Sequence, residues 1–225
     1  MTMKKIEKRK AKSGNLQAFT LVELLVVISI MAVLAGFTIG GLKMAKRQQY
    51  ITTAHSQLEQ IRTALENYHD KYNTYPPSNS SNPMLNPLYY ELSGTTQSGL
   101  NYLTLDGSSS ILQTTYASTF GGGIVNCTKG SGEDAAAAKN FISGLNQNRF
   151  GTGNNGAVTI LVTSVGGPDQ GYLTLLSGSG FSGNPFRYTY PGVNNPKSFD
   201  LWIDLSISGK TNRLSNWKSG VQFLP

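Results

Sequence analysis

The sequence predicts an α+β protein in which one long N-terminal helix packs on a small antiparallel β-sheet. Three observations lead to this class. An apolar run opens at Phe19 and, apart from Glu23, carries no charge until Lys43. Beyond it, Ile51, Ala54, Leu58, Ile61, Leu65, Tyr68 and Tyr72 alternate spacings of three and four, which places them on one helical face. Finally, β-branched and alternating runs separated by turn residues dominate the chain from Ala157 to Ile207.

The first eighteen residues form a basic leader. Lys4, Lys5, Lys8, Arg9, Lys10 and Lys12 stand against Glu7, a net charge of +5 out of +7 for the whole chain. The pI of 9.4 is therefore mainly a topology signal and not the footprint of a nucleic-acid binder. Basic flanks stay cytoplasmic, so the leader faces inward and the C-terminal bulk faces outward. Lys43, Lys46 and Arg47 on the far side oppose this orientation but are outnumbered. The leader ends in small residues before the apolar core, the reverse of a secretory signal peptide. A cut after Ala18 removes the leader and leaves Phe19 as a new N-terminus, four residues from Glu23.

Residues 19–42 are long enough to cross a bilayer core of about 30 Å at 1.5 Å per residue. Glu23 is the residue that needs a reason, since an ionisable group in such a segment marks a functional site with a partner. The nearest candidate partner is a positive charge brought by another copy of the chain.

Ala18-Phe19-Thr20-Leu21-Val22-Glu23-Leu24-Leu25-Val26-Val27-Ile28 resembles the prepilin signature of type IV pilins and type II secretion pseudopilins. The resemblance implies cleavage between Ala18 and Phe19 by a prepilin peptidase and N-methylation of Phe19. It implies docking of Glu23 on the Phe19 α-ammonium of a neighbouring subunit in a helical filament. Relatives commonly have Gly before the cut, where this chain has Ala18. The implied location is the bacterial inner membrane, single-pass, with the N-terminus cytoplasmic and the C-terminal domain periplasmic, followed by incorporation into the filament. Implied partners are the chain itself, other pseudopilins, an inner-membrane assembly platform with its cytoplasmic ATPase, and the lipid bilayer. No nucleic acid is expected.

The helix is predicted to continue to about Asn73, because no proline intervenes before Pro76-Pro77. Residues 43–75 form its outer amphipathic half. Gly36, Gly40 and Gly41 weaken the inner half by roughly 1 kcal/mol each relative to Ala. They serve either local melting on assembly or close helix packing.

Residues 76–225 form the outer domain, giving the protein a lollipop form with its stem in the membrane. Turn signals prevail from Ser78 to Gly156, with one short helix expected over Glu133 to Leu145. Strands are expected at 157–165, 172–176, 186–190 and 199–207, with Pro191-Gly192 and Asn194-Asn195-Pro196 as the last turn. Cys127 is the only cysteine, so no intrachain disulfide forms.

A second resemblance lies in Gly183-Asn-Pro-Phe-Arg-Tyr-Thr-Tyr-Pro-Gly192 with Phe199-Asp-Leu201, and in Leu65-Glu-Asn-Tyr68 with Tyr75-Pro76. These look like the major pseudopilin of type II secretion. Between them, residues 77–182 form an extended insert expected on the exposed face. In that family the last loop binds calcium, which makes Asp200 and Asp204 the candidate ligands; the loop 205–213 adds no further acid and carries Lys210 and Arg213. The competing reading has both aspartates as ordinary strand-end residues. No other cofactor is expected.

Enzymatic signals are weak. Gly151-Thr-Gly153-Asn-Asn-Gly156 fits GxGxxG but precedes a strand, the wrong context for a dinucleotide site. The two histidines, His55 and His69, both lie on the helix, which excludes a Ser-His-Asp triad in the outer domain. Trp202 and Trp217 read as packing residues. Three functions fit: a type II pseudopilus subunit, a pilin for adhesion or DNA uptake, and a membrane-anchored binding module with an aromatic pocket between Tyr89 and Phe181.

Overall fold

The computed structural model describes residues 19–129, 137–165, 173–175, 178–207 and 209–224, with the backbone alone at 37–43 and 173–175. The chain divides into two compact units, one ending at Lys46 and one from Arg47 onward.

Helix α1 runs Leu21–Tyr72, within two residues of the predicted bounds, and its backbone stays helical through Gly36, Gly40 and Gly41. In the first unit its described apolar side chains, including Leu24, Leu25, Ile28, Met31 and Leu34, are exposed. Ser29 donates its hydroxyl to the Leu25 carbonyl at 2.7 Å, which satisfies that group within the helix. Among the described residues, no helix is long and apolar enough to cross a membrane. The predicted span 19–42 reaches into 37–43, whose side chains lie outside the described set.

The second unit holds the core. Ala54, Leu58, Ile61, Leu65 and Tyr68 of the predicted stripe are fully buried, and Ile51 and Tyr72 flank them. Around this face the chain adds α2 (Leu88–Ser93), β1 (Thr95–Ser98), β2 (Asn101–Thr104), β3 (Ser110–Leu112), α3 (Gln113–Phe120) and β4 (Cys127–Thr128). It continues with a 3-10 turn (Gln147–Arg149), β5 (Phe150–Gly153), β6 (Val158–Thr163), β7 (Leu173–Leu175), β8 (Asn184–Pro185) and β9 (Arg187–Thr189). The last strands are β10 (Asp200–Ile207), β11 (Lys210–Ser215) and β12 (Gln222–Leu224).

These strands make three sheets where one was expected: β3-β2-β1-β4, β5-β6-β8, and β12-β11-β10-β7 with β9 also on β10. All pairings are antiparallel except β1 with β4. The four predicted strands correspond to β6, β7, β9 and β10. The helix expected over Glu133–Leu145 does not form in its described part: 137–145 is loop and turn, and 133–136 lie outside the described residues. Lys139 and Phe141 there bond through their backbone to Asn126 and Leu92, partners a helix would deny them.

The middle segment is not an appendage on an exposed face. Every residue of α2 is buried, and Leu88, Tyr89, Tyr90 and Leu92 join the core of α1. Its organising group is Glu91, whose carboxylate accepts Tyr68 Oη at 3.0 Å, Tyr116 Oη at 3.3 Å, Val125 N at 2.9 Å and Asn126 N at 3.0 Å. Asn126 in turn donates to the Glu91 carbonyl (2.6 Å) and accepts from Tyr72 Oη (2.6 Å). One buried carboxylate thus ties α1, α2, α3 and the strand entering β4. Burial pushes its pKa up, against the opposing pull of those four donors.

Candidate functional site

The start of α1 is organised by its own residues. Thr20 precedes the first helical turn, and its Oγ1 accepts the Glu23 backbone N–H at 3.2 Å. Glu23 reaches back, and its Oε2 accepts the Thr20 N–H at 2.9 Å and the Thr20 hydroxyl at 2.8 Å. This is a capping box, in which each residue satisfies an N–H that the helix leaves unpaired. The signal was present in the sequence as Thr-x-x-Glu before an apolar run, and reading Glu23 only as an intersubunit group misses it.

The capping box changes how Glu23 can act. The carboxylate is held on the N-terminal end of the helix, where the helix dipole favours a negative charge. It remains exposed, and Oε1 is not used by Thr20. Because Thr20 and Glu23 both lie downstream of the predicted cut, the box survives removal of residues 1–18. Ala18 lies outside the described residues; Phe19 is exposed beside the box.

Residues 15–39 match the family model of the prokaryotic N-terminal methylation motif. The N-terminal segment is a prokaryotic N-terminal methylation motif. The matched stretch takes in Phe19, Thr20 and Glu23 and ends inside α1. No curated protein and no solved structure gives a significant match to the chain. The motif's apolar helix face, exposed in the single chain, is a surface that calls for lipid or other helices.

The two C-terminal segments singled out in the sequence meet in space. Tyr75 packs its ring on Phe199 (4.8 Å between centroids) and Tyr190 (5.4 Å), and Tyr188 donates its hydroxyl to the Pro76 carbonyl at 2.7 Å. Asn184 donates to the Asp204 carbonyl at 2.7 Å. The end of α1 and the strands β8 to β10 are therefore one packed assembly despite about a hundred intervening residues.

Asp200 and Asp204 lie on β10 but do different work. Asp200 accepts the backbone N–H groups of Asn194 (2.7 Å) and Asn195 (3.0 Å) and the Asn194 side chain (2.9 Å), folding the loop 191–199 over itself. A Cβ on Gly192 would lie 2.6 Å from the Asp200 carboxylate, so only glycine fits there. Asp204 receives Arg213 through two bonds, at 2.7 and 2.9 Å, and lies 3.5 Å from Arg187. Among the described residues, no three His, Cys, Asp or Glu side chains are grouped to hold a metal. Calcium would have to displace two guanidinium groups from Asp204 or the loop amides from Asp200. Isothermal titration of the full chain in micelles with millimolar calcium is therefore expected to give no binding heat and no change in melting temperature.

The remaining candidates are structural. Gly151 and Gly153 belong to β5, and Asn154, Asn155 and Gly156 turn the hairpin into β6 with positive φ. His55 is exposed, while His69 stacks on Tyr75, so the two histidines share no site. Trp202 meets Trp217 edge-on at 5.7 Å beneath Arg213. Tyr89, Tyr90, Tyr116, Phe120 and Phe150 pack edge-on or tilted against one another, the first four within the core and Phe150 against it.

Proposed function

We propose that this chain is a structural subunit of a type II secretion pseudopilus. After cleavage between Ala18 and Phe19 and N-methylation of Phe19, it polymerises through the N-terminal part of α1. The observation that supports this most is the methylation motif seated on a capped, apolar helix start, with Glu23 presenting a carboxylate beside Phe19. In this reading residues 19–42 anchor the chain in the inner membrane before assembly, and the outer domain faces the periplasm. A prepilin peptidase, an assembly platform and other pseudopilins are its partners.

This role needs no reaction centre. Its chemistry is electrostatic docking: Glu23 of one subunit meets the Phe19 α-ammonium of the next in an apolar surround, where an opposite charge has high value. What supports a secretion pseudopilus over an extended pilus is the resemblance of Leu65–Tyr68, Tyr75-Pro76, Gly183–Gly192 and Phe199–Leu201 to the major pseudopilin.

Deleting the gene in its native host tests the choice. A pseudopilus subunit predicts that exported proteins accumulate in the periplasm while surface fibres remain normal. Intact secretion with loss of long surface fibres would instead identify a type IV pilus subunit.

A further inference from the structure

An open cleft of about 390 Å³ runs between α1 and the turn that precedes β5. Its wall includes Ser56, Gln60, Asn146, Asn148, Arg149 and Ser164. Hydroxyls and amides dominate this lining. Among the described residues no acidic side chain takes part, and Arg149 is the one cation.

Arg149 is the anomaly. It is 5% exposed, yet no ion pair among the described residues includes it. Its Nε donates to the Val162 carbonyl (3.3 Å), Nη1 to Gln60 Oε1 (2.9 Å), and Nη2 reaches the Gln57 carbonyl only at 3.5 Å. A guanidinium has five N–H groups, so three bonds to neutral acceptors leave donors in hand. Its cation also lies over the Phe186 ring at 5.6 Å. A buried cation is ordinarily paired. The other two arginines around β10 follow that rule, since Arg187 and Arg213 both meet Asp204. Burial lowers the Arg149 pKa to about 10, which still leaves it charged at neutral pH.

We propose that this cleft binds a small carboxylate-bearing solute, an acidic sugar, with Arg149 pairing the carboxylate and the surrounding hydroxyl and amide side chains receiving the sugar hydroxyls. A planar guanidinium matches a carboxylate with two parallel bonds. The lining of Ser56, Asn146, Asn148 and Ser164 supplies donors and acceptors suited to a hydroxylated skeleton. The site lies wholly within the second unit and is independent of which filament the chain joins.

The test uses the full-length chain in detergent micelles, with unfolding of the outer domain followed by fluorescence of Trp202 and Trp217. Galacturonate is the probe, galactose its neutral counterpart, and acetate the bare carboxylate, all at matched ionic strength. Galacturonate is expected to raise Tm saturably, by roughly 5–10 °C at a hundredfold excess over Kd. Galactose and acetate should shift it far less. The informative variant is Gln60→Glu, which places a fixed carboxylate 2.9 Å from the same nitrogen without disturbing the fold. It should melt higher than the wild type without ligand and lose the response to galacturonate. No galacturonate response in the wild type overturns the proposal, as does a Gln60→Glu variant that keeps the full response. An equal response to acetate overturns the assignment to an acidic sugar.

Discussion

Glu23→Ala is expected to enter the membrane as well as the wild type and to fail in filament assembly. In the proposed anchor, insertion depends on the apolar residues of 19–42, and removing a charge from that run eases it. In the proposed filament, assembly depends on two interactions of the carboxylate. Within the subunit it closes the capping box with Thr20, and losing a cap costs about 1 kcal/mol. In the proposed docking it pairs between subunits with the Phe19 α-ammonium, and stranding that charge in an apolar surround costs roughly 3–5 kcal/mol. The larger cost recurs at every interface of the filament, so the effect on polymer yield should be near complete. Glu23→Gln separates the two roles. Its amide oxygen can still accept from Thr20, but it carries no charge. Membrane fractionation and electron microscopy of sheared filaments provide the readout. If Glu23→Gln assembles normally, the cap alone suffices and the intersubunit pairing is wrong.

Glu91→Ala should be the most damaging single change in the outer domain. The two tyrosine hydroxyls can turn to other partners, but the N–H groups of Val125 and Asn126 cannot. Each unsatisfied buried donor costs about 1–3 kcal/mol, and a cavity adds to that, so a loss of roughly 4 kcal/mol is expected in urea unfolding. Glu91→Gln presents its NH2 to one of those N–H groups and should lose about 1–3 kcal/mol. The two variants also bear on pH. Burial raises the folded-state pKa of Glu91 above its ordinary value of 4.5. A raised carboxyl contributes stability that is complete below the unfolded pKa and is lost as the pH rises through the folded one. The wild type should therefore lose stability as the pH rises above about 4.5 through that window, and Glu91→Gln should lack that part of the slope.

The elements that could be read from the sequence were those with a strong period. The stripe from Ile51 to Tyr72 gave both the extent of α1 and its buried face, because a 3.6-residue repeat needs no knowledge of the rest of the chain. Strands β6 and β10 were legible for the same reason: their apolar and β-branched residues run long enough to outvote the turns. The middle of the chain was not legible. Helix α2 is six residues long and wholly buried, so it shows no amphipathic pattern at all. Strands β1 to β4 are short, and their polar Thr, Gln and Ser residues look like loop.

The expected helix over Glu133–Leu145 shows the opposite failure. Its alanines favour a helix locally, but the backbone of Lys139 and Phe141 is committed to Asn126 and Leu92. Tertiary hydrogen bonds outweigh a propensity of a few tenths of a kcal/mol per residue. Glu91 could not be singled out from the sequence either, since nothing in Leu-Tyr-Tyr-Glu-Leu-Ser separates a buried carboxylate from a surface one. At the N-terminal site, Phe19 and Glu23 stood out because a lone acid in a long apolar run is anomalous in any protein. The cap made by Thr20 was equally visible but was overshadowed by that anomaly.

The measurement that tests the central claim most directly is the intact mass and N-terminal sequence of the protein purified from its native membranes. The account predicts a chain that begins at Phe19 with a methyl group on its α-nitrogen. A chain that still begins at Met1, or one that begins deeper in the apolar run such as after Ala35, would contradict it.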